Sequence, residues 1–149
     1  MPAMLEFLQF LAIFCSAIFT GAALYINFVE HPARMGLDTR AAFAQWAPSY
    51  KRATLMQAPL AVIGFIASVS VWLLGADITW LIAAVLIGAV VPFTVIGIMP
   101  TNHKLLATGR DVGSAETLAL LKKWGRLHAV RSVLGLCAML LMLWQLVSG

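Results

Sequence analysis

Four apolar stretches, Leu5–Val29, Ala53–Leu74, Ile78–Met99 and Leu127–Val147, set what this chain can become. Each has about the 20 residues that an α-helix needs to cross a hydrocarbon core. The third holds no charged residue, the first carries only Glu6 at its lip, and the fourth has His128 and Arg131 near its start. A backbone in lipid must satisfy its polar groups internally, so these stretches are read as helices and not strands. Of 149 residues, 62% are hydrophobic and 11% charged, too few polar groups to coat a soluble domain of this size. The mean hydropathy of +0.93 agrees. The expected fold is all-α: a four-helix transmembrane bundle forming a single integral membrane domain over residues 1–149, with membrane lipid as its main partner. Nothing basic precedes the run that begins at Leu5, so that segment is expected to be a retained helix and not a cleaved signal.

The charges orient the bundle. All ten Lys and Arg residues lie between Arg34 and Arg131. Arg34, Arg40, Lys51 and Arg52 fall in the first connection; Lys104, Arg110, Lys122, Lys123 and Arg126 fall in the third; the second has only Asp77. The positive-inside rule therefore predicts cytoplasmic connections one and three and both termini outside, in a bacterial inner membrane. The net charge of +4 then reflects an anionic lipid surface. No basic run is interleaved with exposed aromatics, which argues against nucleic acid as a partner. Cys15 and Cys137 fall inside apolar stretches and read as small hydrophobes. A homo-oligomer stays open.

The two basic connections carry amphipathic patterns. Residues 39–52 place Phe43, Trp46 and Tyr50 at helical spacing, and residues 114–126 do the same with Leu118, Leu121 and Trp124. Both predict amphipathic interfacial helices, the second capped by Ser114, with Gly125 a candidate bend into span four. Spans one and three echo each other, ending in Glu30-His31-Pro32-Ala33-Arg34 and Pro100-Thr101-Asn102-His103-Lys104. The pairs Ala17/Gly21 and Gly64/Ser68 suit close helix contact.

The histidines carry the chemical interest. His31 ends span one, His103 follows span three and His128 opens span four, so the topology brings all three to one depth. Asn27, Glu30, Asn102 and Arg131 join them. Trp124, His128 and Arg131 share one helix face, as do Asn27, Glu30 and His31. Ionisable residues at membrane depth usually face the bundle interior and mark a functional site. Arg34, Lys104, Lys122, Lys123 and Arg126 are instead expected to snorkel to headgroups. Gln57 and Thr94 either line the same cavity or bond between helices. Zinc-type Cys/His spacing, a phosphate loop, a Gly-x-Ser-x-Gly elbow and a dinucleotide fingerprint are all missing from the sequence.

Three blocks together, Asn27-Phe-Val-Glu30-His31-Pro32-Ala33-Arg34, Pro92-Phe93-Thr94 leading to Met99-Pro100-Thr101-Asn102, and Trp124-x3-His128-x2-Arg131, resemble the anthrone oxygenase-like family of small four-helix membrane proteins. The resemblance covers essentially the whole chain. It implies an oxidoreductase acting on a small lipophilic compound: fungal members oxidise an anthrone to an anthraquinone with dioxygen. A neutral histidine can remove the activated methylene proton, and the enolate can meet dioxygen without an organic cofactor. On this reading His31 or His128 is the base, with Glu30 as an imidazole partner and Arg131 as catalytic support. Asn27, Asn102, His103, Trp124 and Tyr50 contact the substrate. Alternatively His31, His103, His128 and Glu30 hold iron or copper, or two histidines ligate a haem. A rival of another class, a non-catalytic subunit or small-solute carrier, predicts that the histidines and Arg131 do not share a pocket.

Overall fold

The computed structural model describes residues 2–148. It contains four helices, α1 Pro2–Met35, α2 Thr39–Leu73, α3 Thr79–Leu106 and α4 Ala115–Ser148, all long and apolar enough to cross a membrane. No strand occurs among the described residues. Helix α1 packs on α2 and α4, and α3 closes the ring from the other side. Large apolar side chains face outward, Phe28, Leu55 and Ile96 each more than three-quarters exposed (78%, 78% and 77%). Such a surface suits lipid and not water.

The helices are longer than the apolar stretches at the basic end. The amphipathic segments are helical as expected, and each is continuous with the span that follows it. Only Gly36, Leu37 and Asp38 separate α1 from α2, and the Asp38 carboxylate caps α2 by accepting from Ala41 N–H at 3.0 Å. Ser114 caps α4 by accepting from Thr117 N–H at 3.2 Å. Helix α4 passes through Gly125 as one continuous helix. At the other end Gly75, with φ of +95°, turns the chain between α2 and α3 in a conformation that L side chains rarely adopt.

Two π-turns interrupt the regular winding, Ile26–Glu30 in α1 and Thr94–Ile98 in α3. Each lies just ahead of a proline, Pro32 or Pro100. A proline inside a helix lacks its N–H and pushes against the carbonyl four residues back. Those carbonyls belong to Phe28 and Ile96, inside the two π-turns. Widening the turn relieves the clash and keeps the helix going. The echo between spans one and three thus extends to backbone geometry.

The interior has two parts. The half nearer the termini is small and apolar, with Ala12, Phe19, Ala61, Val71, Trp80, Ile87 and Met142 buried together. Gly64 there lies within contact distance of the Ser16 hydroxyl, and Ser68 donates to the Trp80 carbonyl at 2.7 Å. Ala17 and Gly21, expected to behave alike, do not: Ala17 is half-buried and Gly21 is exposed, with nothing within 4 Å of a methyl built there. The half nearer the basic end is aromatic, built on Trp46, Trp124, Leu121 and Ile98. The polar residues of interest lie within it.

Candidate functional site

At the basic end Arg34 is almost fully buried (3% exposed) and does not snorkel. Its guanidinium donates to Glu30 Oε1 at 2.7 Å, to Gln45 Oε1 and to Ser49 Oγ, and its Cζ stands 5.6 Å from the centre of the Trp124 indole. Ser49 and Gln45 also donate to Glu30. A charge removed from water is tolerable only when its donors are answered, which explains why α1 and α2 surround it with acceptors. Arg34 Nη1 further lies 3.1 Å from His31 Nδ1. Glu30, expected beside an imidazole, is therefore the partner of an arginine.

One turn further in, α1 meets α4. Asn27 donates through Nδ2 to the Gly125 carbonyl at 3.1 Å. Its Oδ1 accepts from the Ser132 hydroxyl at 2.5 Å and lies 2.8 Å from His128 Nδ1. The imidazoles of His31 and His128 pack against the same Trp124 ring, with centroids 5.3 and 5.0 Å away. Trp46 meets that indole edge-on at 6.1 Å, and Tyr50 stacks on Trp46 at 4.6 Å. Arg131, one turn beyond His128, donates to Gln57 Oε1 at 3.0 Å and lies 5.7 Å from the Phe19 ring. Among the described residues no carboxylate stands within 4 Å of Arg131.

These groups surround a cavity of about 20 Å³ lined by Tyr50, Gln57, Thr94, Asn102, Trp124, His128 and Arg131 among others. That is room for about one water molecule. Four of its lining residues each carry a buried polar atom without a partner in the protein: Gln57 Nε2, Asn102 Oδ1, Trp124 Nε1 and Arg131 Nε. Unsatisfied buried polar atoms are rare in folded proteins, so four on the residues around one small space mark it as a place for water or for a polar group of a ligand. Outside it a groove of about 460 Å³ runs between α1 and α2, past Ala22, Tyr25 and Met56. Groove and cavity share Ile26, Ala53 and Gln57.

The fold brings together His31, His128, Arg131, Asn27, Trp124, Tyr50 and Asn102, and not His103. His103 is exposed on the outer side of α3, while its neighbour Asn102 turns inward. Asn27 is committed to Gly125, His128 and Ser132, which leaves little of its amide for a substrate. Sequence reasoning missed Gln45, Ser49 and Ser132, which are polar residues on helix faces that give no signal of their partners. The four-residue metal set does not assemble: His103 points away, and Glu30 is held by Arg34. Among the described residues no three His, Cys, Asp or Glu side chains are grouped to hold a metal ion. A haem between histidines fits no better, because His31 Nδ1 faces Arg34 and its Nε2 edge lies against Gly125.

Comparison with known proteins agrees with the arrangement of motifs. The family model described as anthrone oxygenase matches residues 46–141. That segment includes α3 and most of α2 and α4. Over 148 residues the chain is 29% identical to the anthrone oxygenase tpcL of Aspergillus fumigatus, spanning 93% of this chain and 92% of that protein. No solved structure matches. By the family model and by this alignment over nearly its full length, the chain belongs to the anthrone oxygenase family.

Proposed function

We propose that this protein is a membrane-embedded oxygenase for a lipophilic, anthrone-like aromatic compound, with His128 as the base and Arg131 as the main electrostatic support. The observation that carries the reading is the set of four unpartnered polar atoms around the cavity beside a buried cation without a carboxylate. Such a site favours an oxygen-bearing ligand that can share negative charge. His31 is the weaker base: Arg34 faces its Nδ1 and Gly125 closes its Nε2 edge. His128 Nε2 makes no hydrogen bond among the described residues.

The chemistry follows from these positions. His128 Nε2 takes a proton from the methylene flanked by two aryl rings, and the electron pair moves onto the carbonyl oxygen as an enolate. Arg131, with the Gln57 amide, stabilises that oxygen in a site of low polarity. The enolate gives one electron to dioxygen, and the two radicals join to form a carbon–oxygen bond. The peroxide takes up a proton. Loss of the second carbon-bound proton then breaks the oxygen–oxygen bond, releasing hydroxide that leaves as water and forming the new carbonyl. The sum is CH2 + O2 → C=O + H2O. The substrate arrives from lipid through the α1–α2 groove, and Ile26 and Tyr50 give way as its oxygen-bearing end displaces water from the cavity. The basic end faces the cytoplasm, by the distribution of Lys and Arg.

The test is turnover by purified protein in detergent, given a hydroxylated anthrone under air. One dioxygen consumed per anthraquinone formed, well above the autoxidation rate and lost in His128→Ala, is the expected result. No acceleration over buffer would overturn the activity. Stoichiometric iron or copper, or a Soret band, would overturn the direct reaction with dioxygen.

A further inference from the structure

The amide of Asn27 has a donor end and an acceptor end of the same shape, so its neighbours decide which way it lies. The Gly125 carbonyl can only accept, and the group facing it at 3.1 Å must be Nδ2. Oδ1 is then turned to His128 Nδ1 at 2.8 Å, and it also takes the Ser132 hydroxyl. A flipped amide would set Oδ1 against the Gly125 carbonyl, two acceptors with no proton between them. An amide oxygen cannot donate, so the proton of this contact belongs to His128 Nδ1. A neutral imidazole with its proton on Nδ1 carries its lone pair on Nε2.

The second histidine is held the opposite way. Arginine cannot accept, so where Arg34 Nη1 meets His31 Nδ1 at 3.1 Å the ring must accept. The His31 proton is on Nε2, on the edge that lies beside Gly125 and the Leu121 carbonyl. Two imidazoles on one indole are therefore fixed in opposite tautomers. One has its acceptor nitrogen taken by Arg34, and the other has a free lone pair in a ring that lines the cavity.

We propose that Asn27 is a positioning residue which, anchored by the Gly125 carbonyl, holds His128 in the Nδ1–H tautomer and so keeps Nε2 bare for proton abstraction. The role rests on the reading of His128 as the base. It differs from substrate contact, because the amide is spent on protein partners.

Ring 15N NMR of histidine-labelled protein in detergent tests the lock directly, with His31→Gln and His103→Gln variants assigning the signals. The wild-type His128 signal is expected to show its proton on Nδ1. In Asn27→Ala the signal becomes a mixture of tautomers, and kcat for the anthrone falls by about 10- to 10⁴-fold, the range opened by a wrong tautomer. KM stays within about twofold, since the amide does not hold substrate. Asn27→Asp still offers an acceptor to Nδ1–H but loses the donor to the Gly125 carbonyl, so it is expected to keep the tautomer and recover only part of kcat; this variant decides if Asn27→Ala does not fold, and an Nε2 proton in it overturns the proposal. A wild-type proton on Nε2 overturns the proposal, as does an Asn27→Ala protein with unchanged tautomer and kcat. If the tautomer follows Asn27 but His128→Gln turns over at the wild-type rate, the lock is real and the base assignment has failed, which removes the catalytic purpose claimed for Asn27.

Discussion

Gly125 and His31 touch across the α1–α4 interface so closely that a methyl group on Gly125 would overlap the imidazole at Nε2 and Cδ2. The ring cannot retreat, because Arg34 faces its Nδ1 and Trp124 its face. Gly125→Ala is therefore expected to destabilise the protein by about 1–3 kcal/mol through overpacking. Thermal unfolding in detergent reads this out, with Gly21→Ala, which meets nothing, as the control. A Gly125→Ala protein as stable as the Gly21→Ala one would show that the two helices separate easily.

Arg34 answers four side chains, and its loss leaves Glu30 half-buried with only Ser49 and Gln45. Breaking a buried pair by removing one partner costs about 3–5 kcal/mol. Arg34→Met should lose that much in chemical unfolding. Arg34→Lys should lose less but more than nothing, because an ammonium lacks the planar fork that reaches Glu30, Gln45 and His31 together. Equal stability of both variants with wild type would return Arg34 to the headgroup role its position suggests.

Arg131 predicts a divergence between stability and activity. Replacing Gln57 and Arg131 together by Leu and Met removes a buried charge along with the neutral amide that answers it, so the double variant should be at least as stable as wild type, with no charge left unpaired in the interior. The same double variant should lose about 10²–10³ in kcat, as when one oxyanion donor is removed. Turnover and unfolding measured on one preparation separate the two effects. A variant both active and stable would remove Arg131 from the chemistry.

The histidines should separate by position. His128→Ala is expected to lose about 10²–10⁴ in turnover, the usual contribution of a general base, and exposed His103→Ala should stay within about twofold. The ratio of initial rates on one anthrone decides, and comparable losses would mean that His103 reaches the reaction in some other arrangement.

At the opposite end Thr79 donates to the Asp77 carboxylate through both its hydroxyl and its N–H, which holds this acid below its ordinary range. A carboxyl depressed on folding stabilises the fold above its unfolded value, about pH 4, and that part is lost as pH falls through the folded value. Wild-type protein should therefore lose stability below about pH 4, and Asp77→Asn should lack this component. Parallel acid profiles for the two would exclude Asp77 as its source.

The spans, the helical nature of the basic segments and the inward face of Trp124, His128 and Arg131 were legible in the sequence, because hydropathy and a 3.6-residue period report burial directly. His103 was not, since a one-residue step beside Asn102 rotates a side chain from the interior to the outside. Arg34 was misread for a related reason. Its place near a helix end says headgroup, and only Gln45 and Ser49, brought by a second helix, make burial affordable. The tertiary pairing of Asn27 with His128, 101 positions apart, leaves no local trace at all.

The π-turn at Ile26–Glu30 gives α1 one extra residue without breaking it. A widened turn takes one residue more than an α-turn to come round once, so the segments on either side keep nearly the phase of one continuous helix. Removing a single residue there would restore ordinary winding and leave Ala12, Phe19 and Ala23, all fully buried, on the face that packs. The same deletion in the regular part of α1 would instead rotate one segment against the other by about 100°. The stretch is a slack joint in the helix, and a one-residue deletion within Ile26–Glu30 should be far better tolerated than one between Ala12 and Ala23.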